Sequence, residues 1–309
     1  MKKIFFLLFT LVALKSNSQL PSTRIYFFDI KKSNKGMTIS NPQLITKSKG
    51  YNNQPYFTPD GDFFYFVKAL DTNNIEIYSI NLNKKNYKIK QVTHTKGISE
   101  YSPKYTPDMS RISCVRVEKD KKTQHFFSYS KKGKNPIHIL PSLKTIGYYD
   151  WLNQNEFLSF ELPEPFYLVK HNLSANKADT IAQNIGRTFY NLRSKGKVVF
   201  LDKSDSNQWV LRTVASENLK TYNKKNNVEN PILARVLPNE EDYCFTQEGH
   251  ILMGHEGKLY TLKNPFKTTH LQWEEIADLR NFGIEKFYRL AISIDNTKLA
   301  VVAYEGEKP

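Results

Sequence analysis

Cysteine is nearly absent: Cys114 and Cys244 are the only two in 309 residues, and they stand 130 positions apart. That excludes a small disulfide-stapled scaffold and any Cys-based zinc or redox motif. Histidine is scarce too, with seven residues. The chain has no H-E-x-x-H, no G-x-S-x-G nucleophile elbow, no P-loop, no G-x-G-x-x-G and no C-x-x-C, so catalysis by a common motif is without support. A calcium loop of alternating Asp, Asn and Gly is missing as well. No apolar run after the N-terminus approaches the roughly twenty residues that cross a bilayer, so no membrane span is expected. Gly and Pro number only 13 and 14, which excludes collagen-like and low-complexity chains.

Aromatic and basic residues, in contrast, are plentiful. Twenty Phe, eighteen Tyr and three Trp make up 13% of the chain, and these strand formers favour a mostly β fold. Lys and Arg total 45 against 30 Asp and Glu. Such an excess attracts nucleic acid, anionic lipid or acidic glycan through long-range fields. Only nine of the 45 are Arg, and the Lys are scattered among Asn in stretches such as 81–86 and 222–227. Dense interleaving of basic and aromatic residues is missing, so the charge reads as a solvated Lys-rich surface and no nucleic-acid partner is expected.

Residues 1–18 read M-K-K-I-F-F-L-L-F-T-L-V-A-L-K-S-N-S: two Lys, an apolar run too short to span a bilayer, then small polar residues. This is the pattern of a secretory signal peptide, with cleavage expected before Gln19. No Cys follows the run, so the lipid-attaching form of the signal is absent. The mature chain, 19–309, is expected to be a soluble single domain, periplasmic or secreted. Export permits a disulfide, yet Cys114 and Cys244 fall in separated repeats and read as two buried free thiols.

Those repeats are the most informative feature. Residues 56–61 read Y-F-T-P-D-G and precede the apolar run 63–67; 104–109 read K-Y-T-P-D-M before 112–117, offset by 48 residues. Further copies are C-F-T-Q-E-G at 244–249 and A-I-S-I-D-N at 291–296, each before an apolar run, and weaker ones span 149–160 and 189–201. Each copy reads as two antiparallel strands joined by a tight turn, in which Pro presets φ, Asp bonds the backbone two residues on, and Gly or Asn takes φ > 0. Asp60, Asp108 and Asp295 are accordingly structural turn residues; one carboxylate per repeat scatters around a ring and does not converge. Two further strands complete each unit, as in 75–80 and 88–93. Four strands at a period of about 48 residues define a β-propeller blade, and six units fill the chain. A Gly precedes the first strand of five units, at positions 50, 97, 147, 186 and 283. The segments 24–30 and 43–46 lack a first pair, and 290–303 lacks a second, so the termini should share one blade and close the ring.

The segments Q-P-Y-F-T-P-D-G (54–61), S-P-K-Y-T-P-D-M (102–109) and S-I-D-N-T-K-L-A-V-V (293–302) resemble the WD-like propeller repeats of TolB-type bacterial proteins. The resemblance covers essentially all of 19–309 and implies an exported six-bladed propeller. TolB's additional N-terminal α/β domain has no room here, and neither does the hydrolase domain that such propellers cap in prolyl oligopeptidase-like peptidases. Partners therefore do not carry over.

In a propeller, the loops before the inner strands gather at one mouth of the central channel. Those loops hold Asn52-Asn53, Glu100-Tyr101, Tyr148-Tyr149, Arg187, Glu241-Asp242 and Glu285, a set able to bind a peptide or sugar by hydrogen bonding and stacking, with Asn53, Glu100, Tyr101, Tyr149, Arg187 and Asp242 the candidate binding residues. They read equally as solvated loop ends, with Glu100 or Asp242 pairing with Arg187 or a Lys. Trp151, Phe57 and Tyr105 read as core between blades. His250 and His255, the one close His pair, fall on opposite faces of a strand at this spacing; His255-Glu256-Gly257 reads as a tight strand connection, and no metal site is expected. No cofactor is expected either. Three functions remain open: a monomeric, non-catalytic binding or scaffold module of the cell envelope for a protein, peptide or glycan; an enzyme of lactonase or glycan-lyase type with residues converging at the channel mouth; and a sensor working with a separate partner.

Overall fold

A tight turn between two apolar runs fixes a hairpin register, and the repeated turn does this by local bonding. Asp60 accepts from the Asp62 amide at 3.1 Å. Asp108 accepts from the Thr106 and Ser110 hydroxyls and the Ser110 amide. Asp295 does the same with Ser293 and Thr297. These bonds hold the Asp108 carboxyl down at about 2, the mark of a carboxylate gripped by donors.

The computed structural model of the protein describes residues 20–33, 36–71, 74–219 and 230–305. The signal segment 1–18 and the cleavage position lie outside the described residues. The chain enters through β1 (Thr23–Ser33) and β2 (Gly36–Leu44). Blade 1 follows with β3 (Asn52–Phe57), β4 (Phe63–Asp71), β5 (Asn74–Asn81) and β6 (Lys90–Gln91). Blade 2 holds β7 (Ser99–Tyr105), β8 (Arg111–Val117), β9 (Gln124–Ser130) and β10 (Ile137–His138); blade 3 holds β11 (Ile146–Trp151), β12 (Glu156–Glu161), β13 (Tyr167–Asn172) and β14 (Lys177–Gln183). Blade 4 comprises β15 (Ile185–Leu192), β16 (Lys197–Asp202), β17 (Val210–Ala215) and β18 (Ile232–Arg235), and blade 5 β19 (Tyr243–Phe245), β20 (Ile251–His255), β21 (Lys258–Leu262) and β22 (Trp273–Asp278). Blade 6 is composite: β23 (Phe287–Ile292) and β24 (Lys298–Tyr304) pair with β1 and β2 in the order β2-β1-β24-β23. The result is a six-bladed propeller of four antiparallel strands per blade, its ring closed by the N-terminal strands.

Closure rests on a continuous ladder from Thr23–Tyr304 to Asp29–Lys298. The core is divided as the ring requires, with one apolar cluster at each junction between neighbouring blades. Phe57, Tyr105 and Trp151 belong to these clusters and are at most 8% exposed. Cys114 and Cys244 are free and buried, in blades 2 and 5, which face each other across the ring.

The glycine pattern has two causes. Gly50, Gly97 and Gly283 take positive φ at the blade connections. Gly147 and Gly186 instead lie inside β11 and β15, where a Cβ would press on Phe160 (3.0 Å) and Leu201 (2.4 Å); close packing of the first strand on the second requires them. Among the described residues no helix is long and apolar enough to cross a membrane.

Candidate functional site

The six inner strands, β3, β7, β11, β15, β19 and β23, enclose a central cavity of about 750 Å³, within the range of ligand sites. Five of the six carry a bulge near the same level, where pairing with the second strand shifts: Asn53/Tyr56, Tyr101/Lys104, Ile146/Tyr148, Ile185/Phe189 and Phe287/Arg289. A bulge re-aims side chains and leaves room for a residue without an amide proton. Pro55 and Pro103 occupy such places, next to Gln54 and Ser102 at φ 54° and 53°.

At this level one residue from each blade lines the cavity: Gln54, Ser102, Tyr148, Arg187, Asp242 and Arg289. Gln54 Oε1 accepts from the Ser102 amide at 2.6 Å. Arg187 Nε donates to Asp242 Oδ1 at 3.2 Å, a second bond joins its Nη2 to Oδ2, and Thr188 donates to the same carboxylate. Arg289 Nε stands 3.5 Å from Asp242 Oδ1, and Arg289 Nη2 donates to the Tyr148 hydroxyl at 2.8 Å. Blades 3 and 6 are opposite members of a six-membered ring, so the Arg289–Tyr148 bond crosses the channel. Burial pushes the Asp242 carboxyl up, and the guanidiniums of Arg289 and Arg187 more than reverse this, leaving it below its ordinary value.

Further along, Lys104 bonds Asp150 Oδ1 at 2.8 Å, and Asp150 Oδ2 accepts from the Asn191 amide at 2.7 Å. The cavity reaches the surface among the repeat turns. Pro59, Pro107, Met109 and Ile294 line it there with Arg193 and Lys195, and Met109 and Ile294 are 42% and 43% exposed. Lining charges are Lys104, Arg187, Arg193, Lys195 and Arg289 against Asp150 and Asp242, so the channel is electropositive.

Of the residues expected at a mouth, Tyr149, Arg187 and Asp242 line the cavity, whereas Asn53, Glu100 and Tyr101 do not. Tyr149 is 2% exposed and donates to Ser102 O or Ser113 Oγ, both at 2.9 Å, so it fastens blade 3 to blade 2. Asn53 is buried and bonded to the Tyr288 hydroxyl. Glu100, fully buried between blades 1 and 2, accepts from Thr95 (2.5 Å), Tyr129 (3.1 Å) and Thr93 (3.3 Å). Burial and the neighbouring Glu76 raise its carboxyl to about 8 against the bond from Thr95. These first-strand residues point into blade junctions because the pleat alternates ahead of the bulge. Tyr148, expected in the same loop as Tyr149, lines the cavity, whereas Arg289, Lys104, Asp150, Met109 and Ile294 were not among the expected site residues. Gln54, Ser102, Asp242 and Arg289 each stand six positions before a turn residue, namely Asp60, Asp108, Glu248 and Asp295; that spacing is the signal that marks the channel layer. His255 ends β20 and bonds Glu240 at 3.1 Å, while Glu256 and Gly257 form the turn at positive φ. Among the described residues no three His, Cys, Asp or Glu side chains assemble as a metal site.

Ring, channel and rim define a propeller with one central cavity built by all six blades. No family model matches the chain, and no curated protein matches it in sequence. Solved structures share its fold. A putative TolB from Agrobacterium tumefaciens is 11% identical with a TM-score of 0.61, the match covering 93% of this chain and 99% of that one. TolB from Acinetobacter baumannii is 11% identical with a TM-score of 0.55, covering 92% of this chain and 64% of that one. An oligogalacturonate lyase in complex with manganese is 12% identical with a TM-score of 0.50, covering 94% and 98%. The fold is thus a TolB-like six-bladed propeller; at these identities the likeness concerns fold alone.

Proposed function

We propose that the protein is exported by its N-terminal segment 1–18 to the cell envelope, periplasmic or secreted, and acts there as a monomeric, non-catalytic propeller that binds a peptide segment of an envelope protein in its central channel. The observation that carries this reading is an aliphatic arc: Pro59, Pro107, Met109 and Ile294, from the neighbouring blades 1, 2 and 6, line one side of the entrance of a 750 Å³ cavity that holds charged side chains deeper in. Exposed aliphatic side chains at one side of the entrance suit apolar peptide side chains. The TolB-like fold is compatible with such a role and does not define it.

The test is selection of short peptides on the immobilised mature chain, with counter-selection on Met109→Arg and Ile294→Arg. Both positions are exposed, so the variants should keep wild-type stability. Retained peptides should lose at least fivefold in affinity on either variant and be recovered intact by mass spectrometry. Binding indifferent to both variants, or cleavage of the ligand, would overturn the reading.

A further inference from the structure

The layer that crosses the channel holds more positive than negative charge, and it does so inside the cavity. Arg289 shares Asp242 with Arg187, Arg187 also contacts Glu241, and Glu241 is bonded to Lys203. This connected network has three cations and two carboxylates. The Arg289 side chain is 12% exposed; its Nε is enclosed beside Asp242 Oδ1 at 3.5 Å, and its Nη2 is held by Tyr148. One surplus positive charge held partly out of water is costly, and an anion entering beside the exposed edge of Arg187 would balance it. Arg187 keeps a third of its side chain exposed and lines the cavity with Arg289 and Tyr148. Tyr148 accepts from Arg289, which leaves its own O–H free to donate to a ligand. Two guanidiniums and a phenol around one space match the planar, two-oxygen geometry of a carboxylate.

We propose that this layer is an anion subsite that takes the C-terminal carboxylate of an extended peptide entering from the rim. The inference rests on the peptide-binding reading given above and deepens it. Arg289 and the rim residue Ile294 are five positions apart on one inner strand and its turn, about 17 Å at 3.3 Å per residue. An extended peptide of about five residues covers that length, with its carboxylate at Arg289, Arg187 and Tyr148, its middle beside the Lys104–Asp150 pair, and an apolar residue against Met109 and Ile294. In the deep layer Arg187 and Arg289 stand against Asp242 alone, which favours the peptide's negative end there.

The experiment uses fluorescein-labelled pentapeptide libraries with an apolar first residue, in two matched series ending in a free carboxylate or an amide, titrated by fluorescence polarisation against the mature chain. Trigalacturonate serves as a separate probe by calorimetry. The free-acid series should bind at least tenfold more tightly than the amides, and this gap should shrink to about twofold in Arg289→Gln and in Tyr148→Phe. Tyr148→Phe keeps the ring and its packing, so it decides the matter if Arg289→Gln fails to fold. Equal binding of acids and amides would overturn the subsite and leave the peptide-binding reading standing. Binding of trigalacturonate with neither peptide series retained would overturn the peptide reading and this subsite together, as would the absence of any binding.

Discussion

Replacing Glu100 by Gln should make the protein more stable at neutral pH, because the native carboxyl is held protonated where water would ionise it. Its folded value is about 8 against an ordinary 4.5. A raised carboxyl means that the native state keeps a proton which the unfolded chain releases. Stability is therefore greatest below about 4.5, falls as pH climbs towards 8, and levels off above that. At pH 7 the loss amounts to roughly 3 kcal/mol at 1.36 kcal/mol per pH unit. Gln cannot ionise, and its carbonyl still accepts from Thr95 and Tyr129, which hold Glu100 Oε1 at 2.5 and 3.1 Å. Glu76, from blade 1, is 1% exposed and keeps a neutral neighbour at every pH. We expect a stabilisation of about 1–3 kcal/mol at pH 7, part of the gain being lost to imperfect amide geometry. The assay is urea denaturation of wild type and Glu100→Gln at pH 5, 6, 7, 8 and 9. The curves should converge at pH 5 and diverge as pH rises, with the wild type declining more steeply. Parallel pH profiles would refute a protonated Glu100 in the blade junction.

Removing residues 290–309 takes away half of β23 and all of β24, stripping β1 of its partner from Thr23 to Asp29; the truncated chain should unfold or aggregate, which size-exclusion chromatography and thermal melting would show. Denatured, unreduced protein should release two equivalents of thiol to a thiol reagent and the native protein few, since burial raises the Cys244 thiol to about 12 and that of Cys114 well above its usual value. Asp108→Ala should lower stability by about 1 kcal/mol through the lost turn bonds and leave peptide affinity unchanged, as read by urea denaturation and by titration. Edman sequencing of the exported chain should begin at Gln19; an N-terminus retaining residues 1–18 would remove the export claim.

The architecture was legible because one turn recurs. Pro, Asp and Gly or Asn at fixed offsets announce a hairpin whatever surrounds it, and the unpaired segments at the two ends gave the closing blade that β1 and β24 form. Fourth strands were less legible: 88–93 shrinks to the two residues of β6, since an edge strand is held by few bonds and its alternation is weak. Arg187 and Asp242, singled out through their loop position, line the central cavity. Glu100 and Asn53 were misjudged as to exposure, because adjacent residues of a strand point to opposite faces and a charged type alone does not say which face is buried. Arg289 escaped because bulges, invisible in composition, re-aim the inner strands and bring the sixth residue before each turn into one layer.

The most direct test of the peptide channel is photo-crosslinking with p-benzoylphenylalanine placed at Met109, on the rim, and separately at Lys286, which is exposed just before β23 at the other end of the inner strands. With a free-acid pentapeptide retained in the selection, Met109 should crosslink in a saturable manner, suppressed by unlabelled peptide, and Lys286 should not. Crosslinking from Lys286 with none from Met109 would place the ligand on the opposite face and contradict the channel assignment.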